Sequence, residues 1–295
     1  MRRLMALLCA LAALTAAARA ESGWTEQAWA DVRAELYSDA PDPVPEAYRV
    51  FVSSAPKNRA DEDAGLTVLL MASDAPDMEH NFGRTDLIML CRIDFATGGI
   101  RLLSLPEEAF VLLPGLPGGV MLRHVNCFGG PLLVLNTVNG LLDAGVGRYC
   151  AVNFEAFQQI VDLLGGVKMT LTEEEAQVLE TEAGEARLNG AQALRYVRLR
   201  RQGDGSRRAE KLMAALADTW TAKGSTQNVY RVLDLLLPLL DTNLTTKNLM
   251  DAAAHIVGRE EPGAFAAEAL KANEDGALDE SARDALHAFL DGQTP

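Results

Sequence analysis

The chain between residues 66 and 171 alternates between short apolar runs and segments with helical spacing, and this alternation constrains the fold most strongly. The apolar runs have the length of buried strands, whereas residues 129–142 and 154–164 are predicted to be helices. Such an alternation predicts an α/β domain with a central mixed β-sheet flanked by helices. The predicted strands are 67–71, 87–93, 100–105, 149–152 and 167–171.

The rest of the chain is organised around this core. Residues 1–20 combine two early arginines, an uncharged apolar run and the small-residue pattern Ala18-Arg19-Ala20, which is typical of a secretory signal peptide. An uncleaved N-terminal anchor is the open alternative. Residues 21–64 are predicted to be a variable lead-in, 65–258 a single domain, and 259–295 a helical C-terminal tail.

The charge balance excludes one large class of partner. The 295 residues contain 27 Lys and Arg against 41 Asp and Glu, and loss of residues 1–20 would leave 24 against 41, a net charge of −17. Because nucleic-acid binding requires a basic surface, we expect no nucleic-acid partner. The four histidines have no zinc-protease spacing, and no nucleotide-binding or serine-hydrolase motif occurs.

Arginines cluster in one segment of this acidic chain. Six of them fall within 14 positions, around a glycine-containing stretch, and the guanidinium fork suits bidentate binding of phosphate oxygens. A solvated basic face paired with surface acids is the alternative, and it stays open. The six are Arg195, Arg198, Arg200, Arg201, Arg207 and Arg208.

Two aspartates stand at the ends of neighbouring predicted strands. Asp74 ends the first strand, and Asp86 begins the second. If the two strands are adjacent, both carboxylates lie at one edge of the sheet, where they would suit Mg²⁺ beside a phosphate. The alternative is that each aspartate caps a turn.

Eight segments, taken in order, resemble those of one known family. They are 68–74, 84–94, 103–106, 126–130, 154–167, 188–190, 193–200 and 241–244. Their co-linear order is similar to that of LytR-CpsA-Psr domains, and the resemblance covers about residues 65–258. It implies a LytR-CpsA-Psr-like mixed sheet flanked by helices, with a hydrophobic groove for a lipid.

The resemblance also implies an activity. Members of that family are extracytoplasmic phosphotransferases, mostly of Gram-positive cell envelopes. They attach anionic glycopolymers of teichoic acid or capsule type, carried on polyprenyl pyrophosphate, to peptidoglycan. The implied partners are therefore a polyprenyl-pyrophosphate-linked glycan, peptidoglycan and the membrane surface. The protein would be secreted or membrane-associated, and the sequence does not identify the polymer or its acceptor.

The family's site residues transfer to positions of this chain. By resemblance, Asp74 and Asp86 would hold Mg²⁺. Asp86, Arg198 and Arg200 would be the catalytic residues. The resemblance implies that Arg198, Arg200 and Arg207 bind the pyrophosphate. The expected substrate-binding set adds Asn126, from a matched segment, and Arg123, as a candidate replacement cation.

Three positions depart from the family pattern. Glu107 stands where the family usually has an arginine, and Glu210 and Lys211 stand where it usually has Arg-Gln. Arg123, Arg208 and Lys211 are candidate replacement cations. These departures leave two hypotheses: an active transferase, and a catalytically degenerate relative that binds lipid-linked or cell-wall polymer without turnover. A transcriptional regulator is a third hypothesis, which the leader and the net charge oppose.

Overall fold

The computed structural model describes residues 64–75, 82–113, 119–199, 208, 211–216, 239–256 and 264–292. Within these ranges, only the backbone is described for Arg198, Ala253 and Ile256. A six-stranded mixed sheet lies at the centre, with helices on both faces. This architecture confirms the predicted α/β class.

The central sheet has the strand order β10-β3-β2-β1-β6-β9. Strand β1 pairs antiparallel with β2 and parallel with β6, while β10 pairs parallel with β3. Two separate ribbons, β4 with β5 and β7 with β8, complete the described strands. The bounds are β1 Gly65–Ser73, β2 Thr85–Asp94, β3 Ile100–Leu105, β4 Phe110–Leu112, β5 Gly119–Met121, β6 Tyr149–Asn153, β7 Val167–Leu171, β8 Gly184–Leu188, β9 Asp241–Thr242 and β10 Phe265–Ala269.

Strand β1 shows why the apolar runs were good predictors. All nine of its residues are buried, because helices cover both faces of the sheet. Leu66, Val68 and Leu70 enter one hydrophobic cluster, whereas Leu69 and Met71 enter the cluster on the opposite face. A strand buried on both faces therefore reads as an uninterrupted apolar run rather than as an alternating one.

Two helical layers enclose the sheet. Helices α1 and α6 contribute to the cluster on one face, and helices α2, α4 and α5, with the helical residues 211–216, contribute to the cluster on the other. The bounds are α1 Val125–Leu142, α2 Phe154–Leu163, α3 Glu173–Val178, α4 Gly190–Arg198, α5 Thr246–Ile256 and α6 Glu280–Leu290.

Helix α1 begins earlier than predicted. It starts at Val125, after a short 3₁₀ turn, and is kinked where Gly129 and Gly130 leave helical backbone angles. Pro131 then stands in the first turn of the second half, where a proline is tolerated because the first turn needs no backbone donor from it. In the described part of the chain, the stretch Leu122–Leu142 has the length and apolarity of a membrane span, but 67% of its most apolar part is buried inside the protein. Packing against the sheet therefore accounts for its apolar character.

Residues after 258 do more than form a helix. Strand β10 adds to the edge of the central sheet beside β3, and α6 packs against the same core through Leu286 and Phe289. The sequence pattern predicts only helix in this region. Strand β10 has the sequence FAAEA and lies at a sheet edge, so it lacks the continuous apolar pattern that marks buried strands.

Candidate active site

The two aspartates lie together at one end of the sheet. Strands β1 and β2 are antiparallel neighbours, and Ser73 is paired with Thr85. Asp74 directly follows the first of these residues and Asp86 directly follows the second, so both carboxyl groups stand at the same edge, as the strand order predicted. Asp74 is 1% exposed, and the Asp86 side chain is 20% exposed.

Asp74 is held on both carboxylate oxygens by Arg84. Its Oδ1 accepts a hydrogen bond from the backbone N–H of Arg84 at 2.6 Å, and its Oδ2 accepts one from Nε of the same residue at 3.0 Å. Burial nevertheless raises the pKa of Asp74 to about 6, because desolvation outweighs the attraction of Arg84 and the negative charge of Asp86 adds to the rise. The two aspartates are thus close enough to affect each other electrostatically.

A glycine allows the approach of Arg84 to Asp74. A Cβ atom at Gly83 would lie 2.2 Å from the backbone nitrogen of Ala75 and 2.6 Å from Oδ1 of Asp74. The Gly83 carbonyl accepts a hydrogen bond from Nδ2 of the fully buried Asn126 at 2.7 Å. Asn126 therefore supports the backbone beneath the carboxylates, and its assignment to substrate binding stays a prediction.

Arg123 brings a second guanidinium group to the pair. Its Nη2 lies 3.5 Å from Oδ1 of Asp86 and 3.3 Å from Oε1 of Glu107. Its backbone N–H donates to the Glu107 carbonyl at 2.8 Å, and its own carbonyl accepts from the Thr85 hydroxyl at 3.2 Å. The β4–β5 ribbon connects the two residues, since Glu107 precedes it and Arg123 follows it. Closure of this ribbon therefore brings Glu107 to the site.

The site also contains a histidine, His124, that no sequence motif indicates. The pKa of His124 is lowered to about 4, first by burial and then by the positive charges of Arg123 and Arg84, against an opposing effect of Asp86. Its imidazole is therefore neutral at neutral pH. No second histidine stands at metal-site spacing, so only its position directly after Arg123 could have drawn attention to it.

The arginine cluster divides in the structure. Arg195 is exposed and pairs with Glu180 at 3.2 Å, which matches the interpretation as a solvated basic face for this one residue. Arg198 is the last residue of α4, and only its backbone is described. Arg200, Arg201 and Arg207 lie outside the described residues, as does Glu210.

The candidate replacement cations occupy different places. Arg123 is in the site described above. Arg208 is buried, donates a hydrogen bond to the carbonyl of Leu199 just after α4, and lies 3.6 Å from Glu175. Lys211 is exposed. Among the described residues, Arg84 and Arg123 are accordingly the cations that the structure brings to the aspartates.

The donor set of the site suits a particular kind of cation. No group of three or more His, Cys, Asp and Glu side chains that could hold a metal occurs in the described ranges. Two carboxylates alone do not make a zinc or calcium cage, but they match Mg²⁺, which keeps several waters and binds through one or two carboxylates plus substrate oxygens. Oδ1 of Asp86 is buried without a hydrogen-bond partner, so it has capacity for such a ligand.

Comparison with known proteins gives a family and several relatives. The model of the LytR_cpsA_psr family matches residues 38–268. A protein of Oceanobacillus iheyensis named polyisoprenyl-teichoic acid--peptidoglycan teichoic acid transferase TagU is 29% identical over 214 residues, which are 67% of this chain and 64% of that protein. The Bacillus subtilis protein of the same name is 27% identical over 199 residues, 65% of this chain and 64% of its own length. The chain thus spans less than two thirds of these relatives.

Solved structures agree with this result at the level of the fold. The structure "TagT bound to LI-WTA" has a TM-score of 0.64 at 23% identity and covers 81% of this chain and 96% of its own. A second structure, of YwtF (TagT) with bound octaprenyl pyrophosphate lipid, has a TM-score of 0.61 at 23% identity with the same coverage. The mixed sheet flanked by helices is therefore an arrangement that these proteins share.

Proposed function

Because this chain belongs to the LytR_cpsA_psr family, we propose that it is a phosphotransferase of the cell envelope. It would transfer a teichoic acid-type anionic glycopolymer from a polyprenyl pyrophosphate carrier to peptidoglycan, as the names of its relatives suggest. Beyond family membership, one observation supports this proposal. Two carboxylates and two guanidinium groups converge at one end of the sheet, and this combination of charges suits a metal-bound diphosphate.

The charges of the site match the reaction. A glycan hydroxyl attacks the polymer-bearing phosphorus, a new O–P bond forms, and the pyrophosphate O–P bond breaks to release polyprenyl phosphate. Negative charge develops on the leaving phosphate, and Arg84 and Arg123 are placed to stabilise it. We extend this role to Arg198, Arg200 and Arg207, on the resemblance alone. The proton of the attacking hydroxyl needs an acceptor, and the candidates at the site are the Asp86 carboxylate group and the neutral imidazole of His124.

Mg²⁺ is part of the proposal. Asp74 and Asp86 would hold it, and when bound it would neutralise charge on the phosphate oxygens. Asp74, with a pKa of about 6, is ionised above that pH and so is available as a ligand at neutral pH. Oδ1 of Asp86, buried and without a hydrogen-bond partner, supports the assignment.

The proposed location follows from the substrates. Lipid-linked glycopolymer and peptidoglycan meet outside the cytoplasmic membrane, so we propose a secreted or membrane-associated protein that works at the membrane surface. The signal peptide predicted over 1–20 lies outside the described residues and stays a prediction. A capsule-type polymer is the alternative substrate.

A reconstituted transfer reaction tests the function. Purified residues 21–295 would be incubated with a synthetic polyprenyl-pyrophosphate-linked glycan, peptidoglycan fragments and Mg²⁺, and released polyprenyl phosphate would be followed by mass spectrometry. We expect turnover that falls about 100-fold or more in Asp86→Asn and in Arg198→Ala. Arg195→Ala serves as the matched control, since Arg195 is exposed and pairs with Glu180, and it should leave the rate unchanged. Equal activity of the unaltered protein and Asp86→Asn would refute the proposal.

The second candidate function is polymer binding without turnover. Glu107 favours it, because a third carboxylate at the site opposes the binding of an anionic diphosphate and occupies Arg123. Under this hypothesis, a polyprenyl lipid co-purifies with the protein but is not cleaved when Mg²⁺ and peptidoglycan fragments are added. Metal-dependent cleavage would exclude it.

A further inference from the structure

The Arg123 guanidinium is shared between two carboxylates. The same nitrogen, Nη2, lies 3.3 Å from Glu107 and 3.5 Å from Asp86, so neither ion pair is at its closest distance. Two buried atoms of this group, Nε of Arg123 and Oδ1 of Asp86, have no hydrogen-bond partner. The arrangement therefore leaves both the cation and the inner carboxylate with unused bonding capacity.

We propose that Glu107 is a positioning residue that draws Arg123 away from Asp86 and thereby frees this carboxylate for a divalent cation. The inference rests on the proposed function, in which Asp86 is a ligand of Mg²⁺. A guanidinium group and a metal ion compete for the same carboxylate oxygen, because both need its negative charge. Glu107 gives Arg123 a second carboxylate, so that the guanidinium can leave Asp86 without becoming an unpaired, largely buried charge.

Movement of Arg123 between Asp86 and Glu107 needs no change in the backbone. The N–H of Arg123 is fixed to the Glu107 carbonyl, and the Arg123 carbonyl is fixed by the Thr85 hydroxyl. Only the side chain has to rotate, between acceptors that it already approaches. The acceptors also differ in exposure, since the Glu107 side chain is 37% exposed and that of Asp86 is 20% exposed. The outer carboxylate is the one on which the guanidinium is better solvated.

Metal binding without lipid tests the exchange. Mn²⁺, which takes the same oxygen ligands as Mg²⁺, would be titrated into residues 21–295, with free Mn²⁺ measured by electron paramagnetic resonance. We expect Glu107→Gln to weaken Mn²⁺ binding about fivefold and Arg123→Gln to tighten it about fivefold, and Glu107→Asp to restore most of the affinity. Glu108→Gln is the matched control, because Glu108 is the exposed neighbour with the same charge. It should change the affinity for Mn²⁺ by less than about twofold.

A double variant distinguishes an effect of Glu107 through Arg123 from a direct effect of its negative charge on the metal. If Glu107 acts through Arg123, the Glu107→Gln penalty disappears when Arg123 is already glutamine. An equal loss in both backgrounds would mean that Glu107 only adds a distant negative charge, and it would overturn the inference. Absence of Mn²⁺ binding by the unaltered protein would also overturn it. Failure of the proposed function would appear separately, as absence of turnover in the transfer reaction described above. Thermal melts of each variant check that it is folded.

Discussion

Replacing Gly83 by alanine is expected to displace Asp74 and to destabilise the fold. The new methyl group would lie 2.2 Å from the backbone nitrogen of Ala75 and 2.6 Å from Oδ1 of Asp74, and real contacts begin near 3.0 Å. The segment 82–84 must therefore move away from the end of β1, which breaks the 2.6 Å hydrogen bond from Arg84 to the carboxylate. Losing a buried hydrogen bond to a charged group costs about 2–3 kcal/mol, and relief of the clash adds to this.

Thermal unfolding measures the effect of this substitution. For a domain of this size, we expect the melting temperature of Gly83→Ala to fall by about 5–10 °C. The control is Gly140→Ala, also a glycine-to-alanine change, at a position in α1 where nothing lies within 4 Å of the added carbon. It should stabilise the protein by up to about 1 kcal/mol, because alanine is the better helix former. Equal melting temperatures for Gly83→Ala and the unaltered protein would refute the close-approach argument.

Three further expectations concern ionisation and packing. Because the pKa of Asp74 is raised to about 6, its protonated form is favoured by folding. Raising the pH from 4 to 7 should therefore lower the free energy of unfolding of the unaltered protein by about 2–3 kcal/mol more than that of Asp74→Asn. Denaturant titrations of the two proteins that show the same pH dependence would contradict this. The Asn243 side chain accepts a hydrogen bond from the Tyr149 backbone N–H and donates one to the Gly147 carbonyl, both at 2.9 Å. Asn243→Ala removes both and should lower the free energy of unfolding by about 1–3 kcal/mol in denaturant titrations. The control Thr246→Ala, at an exposed position, should lower it by less than about 0.5 kcal/mol. Truncation after residue 258 removes β10 and α6 and should prevent cooperative unfolding in calorimetry, because both elements belong to the core. If these residues were a separable tail, the truncated protein would still unfold cooperatively.

The sequence predicted the elements whose apolar pattern is strong. The third strand was predicted with its observed bounds, Ile100–Leu105, and the Asp94–Gly99 connection joins it to β2 in a tight turn. Strands β4, β5 and β8 were not predicted, because short two-stranded ribbons with one exposed face carry little apolar signal. The first half of α1 was also missed, since its kink at two glycines resembles a helix start.

The site was predicted in part, for a comparable reason. The meeting of Asp74 and Asp86 was predicted on the condition that the two apolar runs beside them form adjacent strands, and β1 and β2 are adjacent. The Arg123–Glu107 pair depends on how the β4–β5 ribbon closes, and no local pattern encodes that contact. The pairing of Arg84 with Asp74 likewise requires the chain to fold back at Gly83. Family resemblance placed these segments in order, but the partners of each charge came from the structure.

The pairing register of the β4–β5 ribbon determines which side chain lies beside Asp86. Phe110 lies opposite Met121 and Leu112 opposite Gly119, so a deletion of one residue in either strand would rotate the following side chains to the other face of the ribbon. Such a slip would offer Leu122 or His124 to Asp86 in place of Arg123, whereas added residues beyond Leu112 at the tip would leave the spacing intact. We therefore expect insertions at the tip of the ribbon to leave Arg123 beside Asp86, and single-residue deletions within its strands to remove Arg123 from that position.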